Sequence, residues 1–287
     1  MRNGCKANWD YFICKPIPRI PSLKRVQGMN PIPVYILTGR CFNWHIQIPL
    51  TEKKMNPFLA LIITFAVALI ELRLLDFFAH RGWIESHLSR KLIHILTGPL
   101  FVLCWLLFPD VWYSRWLAAL VPFAITGQFA LIGLGVIKDE ASVKAMSRSG
   151  DRREILRGPL FYGIAFVVMT LVYWKTSPIG MLALMLMCGG DGLADILGRG
   201  LKSPKLPWSR GKSTAGSLGM FIGGWVLAAF ILFIFVLAGV FPGPFSHYLL
   251  PITIIALVGT LVESLPLKDV DNITVTLVAV LLGHLLF

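Results

Sequence analysis

The chain has 287 residues, of which 56% are hydrophobic and 15% charged, and a mean hydropathy of +0.71. These values exclude an ordinary soluble domain and fit a polytopic membrane protein. The net charge of +12 does not point to nucleic acid, because the basic residues sit in the amino-terminal tail and in loops between apolar runs, which is how membrane topology is encoded. The expected partner is therefore the lipid bilayer.

Residues 1–56 differ in composition from the rest. They are rich in proline and carry Arg2, Lys6, Lys15, Arg19, Lys24, Arg25, Arg40, Lys53 and Lys54 against only Asp10 and Glu52. Without a helical period they are expected to be mostly disordered. One reading is a targeting segment, which would be Arg-rich and acid-poor, although Ser22 is its single serine. The other is an extension ahead of a working start at Met55. Cys5, Cys14 and Cys41 lie in this head and Cys104 and Cys188 in apolar runs, with no zinc-site or disulfide spacing.

From Pro57 onward, one domain (57–287) is expected to be all-α, a polytopic transmembrane helix bundle of about seven to eight spans. The apolar runs fall near 57–76, 92–109, 116–137, 158–174, 178–197, 216–241, 248–263 and 272–287. The last is short for a crossing and could be tilted, re-entrant or packed beside its neighbour. Loop charge is asymmetric. The connections after the first, third, fifth and seventh runs carry Arg81, Arg90, Lys91, Lys138, Lys144, Arg148, Arg152, Arg153, Arg157, Arg199, Lys202, Lys205, Arg210, Lys212 and Lys268, whereas the other side carries only Arg115 and Lys175. The positive-inside rule places the first set in the cytoplasm, or in the stroma of a plastid. The basic head would then face away, a conflict that a start at Met55, or a different number of crossings, removes.

Every deliberate-looking polar cluster falls on that positive side. Within Cys188–Met220, Asp191 and Asp195 are four residues apart, on one helix face, where two carboxylates can share a hard cation such as Mg2+. Asp191 lies about 9 Å inside the expected end of its span, where a carboxylate usually serves a metal, a cavity or a partner. The plainer alternative is a basic residue of another helix, paired with Asp191 to hold the bundle. Gly190 and Gly192 suit close approach of a phosphate or tight helix packing equally well. Gly211-Lys212-Ser213-Thr214 is not a P-loop, since Leu206 stands where the pattern needs glycine and a membrane span stands where it needs a strand. Lys212 and Ser213 nevertheless precede a span whose first N–H groups can hold an anion, with Lys205 nearby.

Arg90 and Lys91 are candidates for phosphate binding or for snorkelling at the membrane boundary. His94 shares their face and could act as a general base, a phosphate ligand or a satisfied boundary histidine. Arg157 opens the fourth span beside Gly158-Pro159. Asp271, with Asp269, follows Glu263-Ser264-Leu265-Pro266 and could complete a metal site or cap the final helix.

Five blocks carry a resemblance: RKLIHILTG from Arg90, LRGPLFYG around Arg157, GGDGLADILGR through Asp191 and Asp195, KLPW with GKSTAGSLGMF, and ESLPLKDVDNITV from Glu263. Together, in this order, they resemble the polyprenol kinase family, which is related to dolichol kinases and phosphatidate cytidylyltransferases. The resemblance covers residues 57 to 287. It implies a multi-pass enzyme that phosphorylates phytol or a related prenol such as geranylgeraniol, with CTP as nucleoside triphosphate donor, and the acid pair adds Mg2+ as the expected cofactor. It further implies prenol salvage for tocopherol, phylloquinone or chlorophyll, in a bacterial or plastid membrane. In that scheme Asp191, Asp195, Lys212 and His94 are catalytic. Lys205, Ser213, Arg157, Arg90, Lys91, Gly190 and Gly192 contact the nucleotide, and Asp191, Asp195 and Asp271 hold the metal. The rivals are a CDP-lipid-forming cytidylyltransferase and, more remotely, a transporter, which would place its ionisable groups near the midplane of paired halves.

Overall fold

A computed structural model describes residues 55–147, 150–266 and 271–287. Residues 1–54 of the head, to which the targeting reading belongs, lie outside those residues, as do Lys268 and Asp269. The helices are α1 (Pro57–His80), α2 (Ser86–Cys104), α3 (Ser114–Leu134), α4 (Glu140–Met146), α5 (Gly158–Val172), α6 (Pro178–Met185), α7 (Asp191–Gly200), α8 (Thr214–Leu237), α9 (Ser246–Glu263) and α10 (Asp271–Leu286). A small antiparallel hairpin, β1 (Lys205–Leu206) and β2 (Ser209–Ser213), joins α7 to α8. Seven segments among the described residues are long and apolar enough to cross a membrane: Pro57–Leu75, Leu88–Leu107, Ser114–Leu134, Arg152–Val172, Pro178–Gly200, Thr214–Leu237 and Ser246–Glu263. The final one, Asn272–Leu286, is shorter and packs beside α9 and α6. The all-α membrane bundle expected from hydropathy is the architecture found.

Local chemistry sets the ends of these elements. Ser177 accepts a hydrogen bond from Ile179 N and Pro178 takes the first turn, so α6 starts where a missing N–H costs nothing. Asp139 caps α4 through Ser142 N at 3.0 Å. Gly135, at φ +81°, closes α3 in the left-handed conformation that glycine adopts without a Cβ penalty.

The fifth crossing is the axis of the bundle. In its apolar window 78% of residues are buried, against 22–44% in the others, so it is ringed by protein where they face lipid on one side. Met181 to Met187 are all shut away from solvent. Midway, Leu186–Gly190 form a π-helical turn between α6 and α7. Beside it α8 approaches backbone to backbone: a Cβ on Gly219 would stand 2.7 Å from Leu193 O, and one on Gly223 would meet Gly189 O. The Gly219-xxx-Gly223 spacing is thus a small-residue packing seam. On the outside, Ile62, Ile70, Phe123, Ile222 and Phe230 are exposed, as lipid-facing side chains should be.

Candidate active site

The positive end of α2 meets the acid pair of α7. Lys91, His94 and Thr97 recur every three residues, which puts them on one face of α2. Lys91 Nζ donates to Asp191 Oδ2 at 3.2 Å and lies 3.7 Å from Asp195 Oδ2. His94 Nε2 lies 3.3 Å from the same Asp191 oxygen and 3.2 Å from the carbonyl of Met187. Arg199, one turn along α7, donates to Asp195 Oδ1 at 2.7 Å. The two carboxylates therefore share a face, as their spacing requires, and a basic residue of another helix is seated between them. Their burial makes such a counter-charge necessary.

The π-helical turn orients this cluster. Met187 O, within the widened turn, is the carbonyl that His94 engages. On the other side Tyr162 of α5 donates to His94 O at 2.8 Å and lies 3.2 Å from Cys188 Sγ. Gly98 and Gly192 let α2 and the central span come this close: added Cβ atoms would collide with Cys188 and with Ile95. Gly190 likewise faces Met220 of α8. The glycines around Asp191 serve helix contact here.

Lys91, His94, Thr97, Tyr162 and Asp191 open onto a cavity of about 340 Å3 between α1, α2, α3, α5 and α7, whose lining does not include Asp195. One end is charged, lined by Arg90, Lys91, His94, Arg157 and Asp191, with Glu154 and Asn272. The other is apolar, lined by Val67, Ala68, Phe101, Val121, Ile125 and Phe166. Glu71 of α1 stands between them, 6% exposed, and its two oxygens lie 3.0 and 3.1 Å from Thr97 Oγ1. Glu71, Thr97 and Tyr162 escaped the sequence reading. An acid inside an otherwise apolar span was the available signal for Glu71.

The hairpin builds a second cluster at the end of α9. Lys212 ion-pairs with Glu263, which is 5% exposed, and Trp208 Nε1 donates to Ser264 Oγ at 3.2 Å. Lys212 is also near enough to Asp191 to act on it electrostatically. Ser213 is the N-cap of α8, its Oγ accepting from Gly216 N at 3.2 Å, and it does not line the cavity. Lys205 is exposed on β1, also outside the cavity lining. Arg90 donates to Ser147 O at 3.4 Å while lining the cavity. Asp271 opens α10, but its side chain is outside the described residues; the next residue, Asn272, lines the cavity.

Among the described residues no group of three or more His, Cys, Asp or Glu side chains is placed to hold a metal ion. Two carboxylates converging on one cation, the Lys91 ammonium, do fit Mg2+ held together with substrate phosphates, since that ion commonly takes only one or two protein carboxylates.

No protein-family model and no solved structure matches the chain. Curated relatives do. The protein described as probable phytol kinase 1, chloroplastic, of Oryza sativa subsp. japonica is 43% identical over 239 residues, 83% of this chain and 76% of the rice protein. Phytol kinase 1, chloroplastic, of Arabidopsis thaliana is 40% identical over 209 residues, 72% of this chain and 69% of its own length. Farnesol kinase, chloroplastic, of the same plant is 41% identical over 209 residues, with shares of 72% and 68%. As the five motif blocks anticipated, the chain belongs to the phytol kinase family of membrane-embedded kinases that act on an alcohol.

Proposed function

We propose that this protein transfers the terminal phosphoryl group of CTP to phytol or a related prenol, giving the prenyl monophosphate. The observation that carries the reading is a single cavity, charged at one end and apolar at the other, enclosed by membrane-spanning helices. Such a shape suits a long hydrocarbon tail with one reactive hydroxyl, and its size falls within the range of small-molecule sites, about 300–1,000 Å3.

In this reading the tail lies among Val67, Phe101, Val121, Ile125 and Phe166, and the hydroxyl points to the charged end. Asp191 and Asp195 would hold Mg2+, which would supply positive charge to neutralise the donor's phosphates. Arg157, Arg90 and Lys91 line the cavity where charge develops on the transferred group, and fixed cations there stabilise the transition state. Lys212 adds positive potential from the hairpin side. His94 holds Asp191 in place through its 3.3 Å contact.

The choice of CTP and a role in salvaging phytol for tocopherol, phylloquinone or chlorophyll are supported by the resemblance of the five blocks to polyprenol kinases. Placement in a plastid membrane is supported by the chloroplastic relatives, and a stromal charged end by the loop asymmetry. The test uses membranes containing the protein with phytol, farnesol or geranylgeraniol and each nucleoside triphosphate labelled on its terminal or its alpha phosphate. The terminal label is expected in a prenyl monophosphate, with CTP most effective. Transfer of the alpha label to a lipid phosphate would instead establish a cytidylyltransferase.

A further inference from the structure

We infer that Glu71, on the first membrane span, accepts the hydrogen bond and then the proton of the prenol hydroxyl. This rests on the phosphotransfer reading above and names the group that activates the alcohol.

Glu71 is the fifteenth residue of α1 and 6% exposed. An acid at that depth is costly and is retained where it has a partner or a task. Its protein partner is a neutral hydroxyl, Thr97 Oγ1, whose single hydrogen is shared with Ile93 O at 2.7 Å. No basic side chain among the described residues forms an ion pair with Glu71. Glu154, which also lines the cavity, has an interaction of its own, and the groups near Lys91 are engaged differently. Asp191 faces Lys91 and His94, and Asp195 faces Arg199 and Lys91. His94 Nε2 lies between two acceptors, Met187 O and Asp191 Oδ2, so it carries the hydrogen and cannot take another there. Tyr162 donates its proton to His94 O.

Position supports the role. Thr97, the residue Glu71 touches, lies two three-residue steps deeper than Lys91 along α2, about 9 Å at ~1.5 Å per residue. Beyond it the lining is apolar, with Phe101, Val67 and Val121. A tail seated there leaves its hydroxyl at the level of Glu71. The interval to Lys91 then accommodates a hydrogen bond to Glu71, a near-attack separation of about 3–3.5 Å and a phosphate contact to the ammonium. In the step itself the O–H bond breaks and its proton passes to the Glu71 carboxylate. The alcohol oxygen forms the new bond to the donor's terminal phosphorus. The bond from that phosphorus to its bridging oxygen breaks, and the electron pair leaves on the nucleoside diphosphate.

The test compares the full-length wild type with Glu71→Gln, which keeps an oxygen for Thr97, and with Glu71→Asp, all in lipid nanodiscs with thermal unfolding as a folding control. Each is assayed on phytol and on an analogue fluorinated beside the carbinol carbon, whose hydroxyl is more acidic. Glu71→Gln is expected to lower kcat on phytol by roughly 10²–10⁴-fold, with the KM for phytol shifted by less than about threefold. On the fluorinated alcohol the loss is expected to shrink at least about tenfold, because a more acidic alcohol needs its base less. Glu71→Asp is expected to fall between, and it carries the same two-alcohol comparison if the Gln variant does not fold. Wild-type kcat in the Gln variant, or an equal loss on both alcohols, overturns the inference and leaves prenol phosphorylation standing. A wild type inert toward every prenol overturns the phosphotransfer reading, and this inference falls with it.

Discussion

The ammonium of Lys91 lies 3.2 Å from a carboxylate oxygen of Asp191, so the second crossing is tied to the fifth by a charge pair inside the bundle. Asp195 is the third member, at 3.7 Å. Removing the ammonium with Lys91→Met should leave two partly buried acids facing each other, at a cost of about 3 kcal/mol. The expected outcome is a clearly lower unfolding midpoint in nanodiscs, partly restored by adding Asp195→Asn. An unchanged midpoint would show that the pair does not hold the helices.

Asp191→Asn keeps the shape of the side chain and removes its charge. Turnover of prenol should fall by at least about 10³-fold, while the protein remains in the membrane in normal amount. Quantifying prenyl monophosphate against the quantity of folded protein checks this.

Lys212 combines two roles that can be separated. Lys212→Met removes the Lys212 ammonium from the buried Glu263 carboxylate and should destabilise by about 3 kcal/mol. Adding Glu263→Gln should recover most of that loss, since the uncompensated charge is gone. Activity should remain low in both variants, because the positive potential at Asp191 is missing from each. Thermal unfolding and turnover measured on the same preparations distinguish the two effects.

The apolar end should set chain-length preference. Val121, 1% exposed, lines it. Val121→Phe should depress kcat/KM for phytol about 10-fold more than for the shorter farnesol, a difference of the size that a few methylenes produce in an apolar pocket. Competition between the two alcohols in one reaction gives the ratio directly.

Much of the architecture was legible because hydropathy is a local property. The first apolar run, expected at 57–76, became the crossing Pro57–Leu75 within α1, and the fifth, expected at 178–197, became Pro178–Gly200. The four-residue spacing of Asp191 and Asp195 predicted a shared face without tertiary information. What occupies that face was not legible. Lys91 could be read as a boundary anchor or a phosphate ligand, and only the packing of α2 on α7 makes it the counter-charge. Ser213 could be read as part of an anion site, and its local geometry makes it the cap of α8. The π-helical turn at Leu186–Gly190 changes hydrogen-bond register and leaves composition untouched, so no periodicity reveals it. Glu71 lies close to Arg73 and Asp76, and in a linear sequence it passes for the polar border of a span.

The central claim is that the charged cluster around Asp191 and the apolar lining form one prenol site. It is tested most directly by photocrosslinking a phytol analogue that carries a diazirine in its tail, with peptide mapping of the adduct. The account predicts labelling on α1, α2, α3 or α5 at cavity residues such as Val67, Phe101, Val121 and Phe166, suppressed by unlabelled phytol. Labelling confined to the lipid-facing sides of α8 and α9, unaffected by phytol, would contradict it.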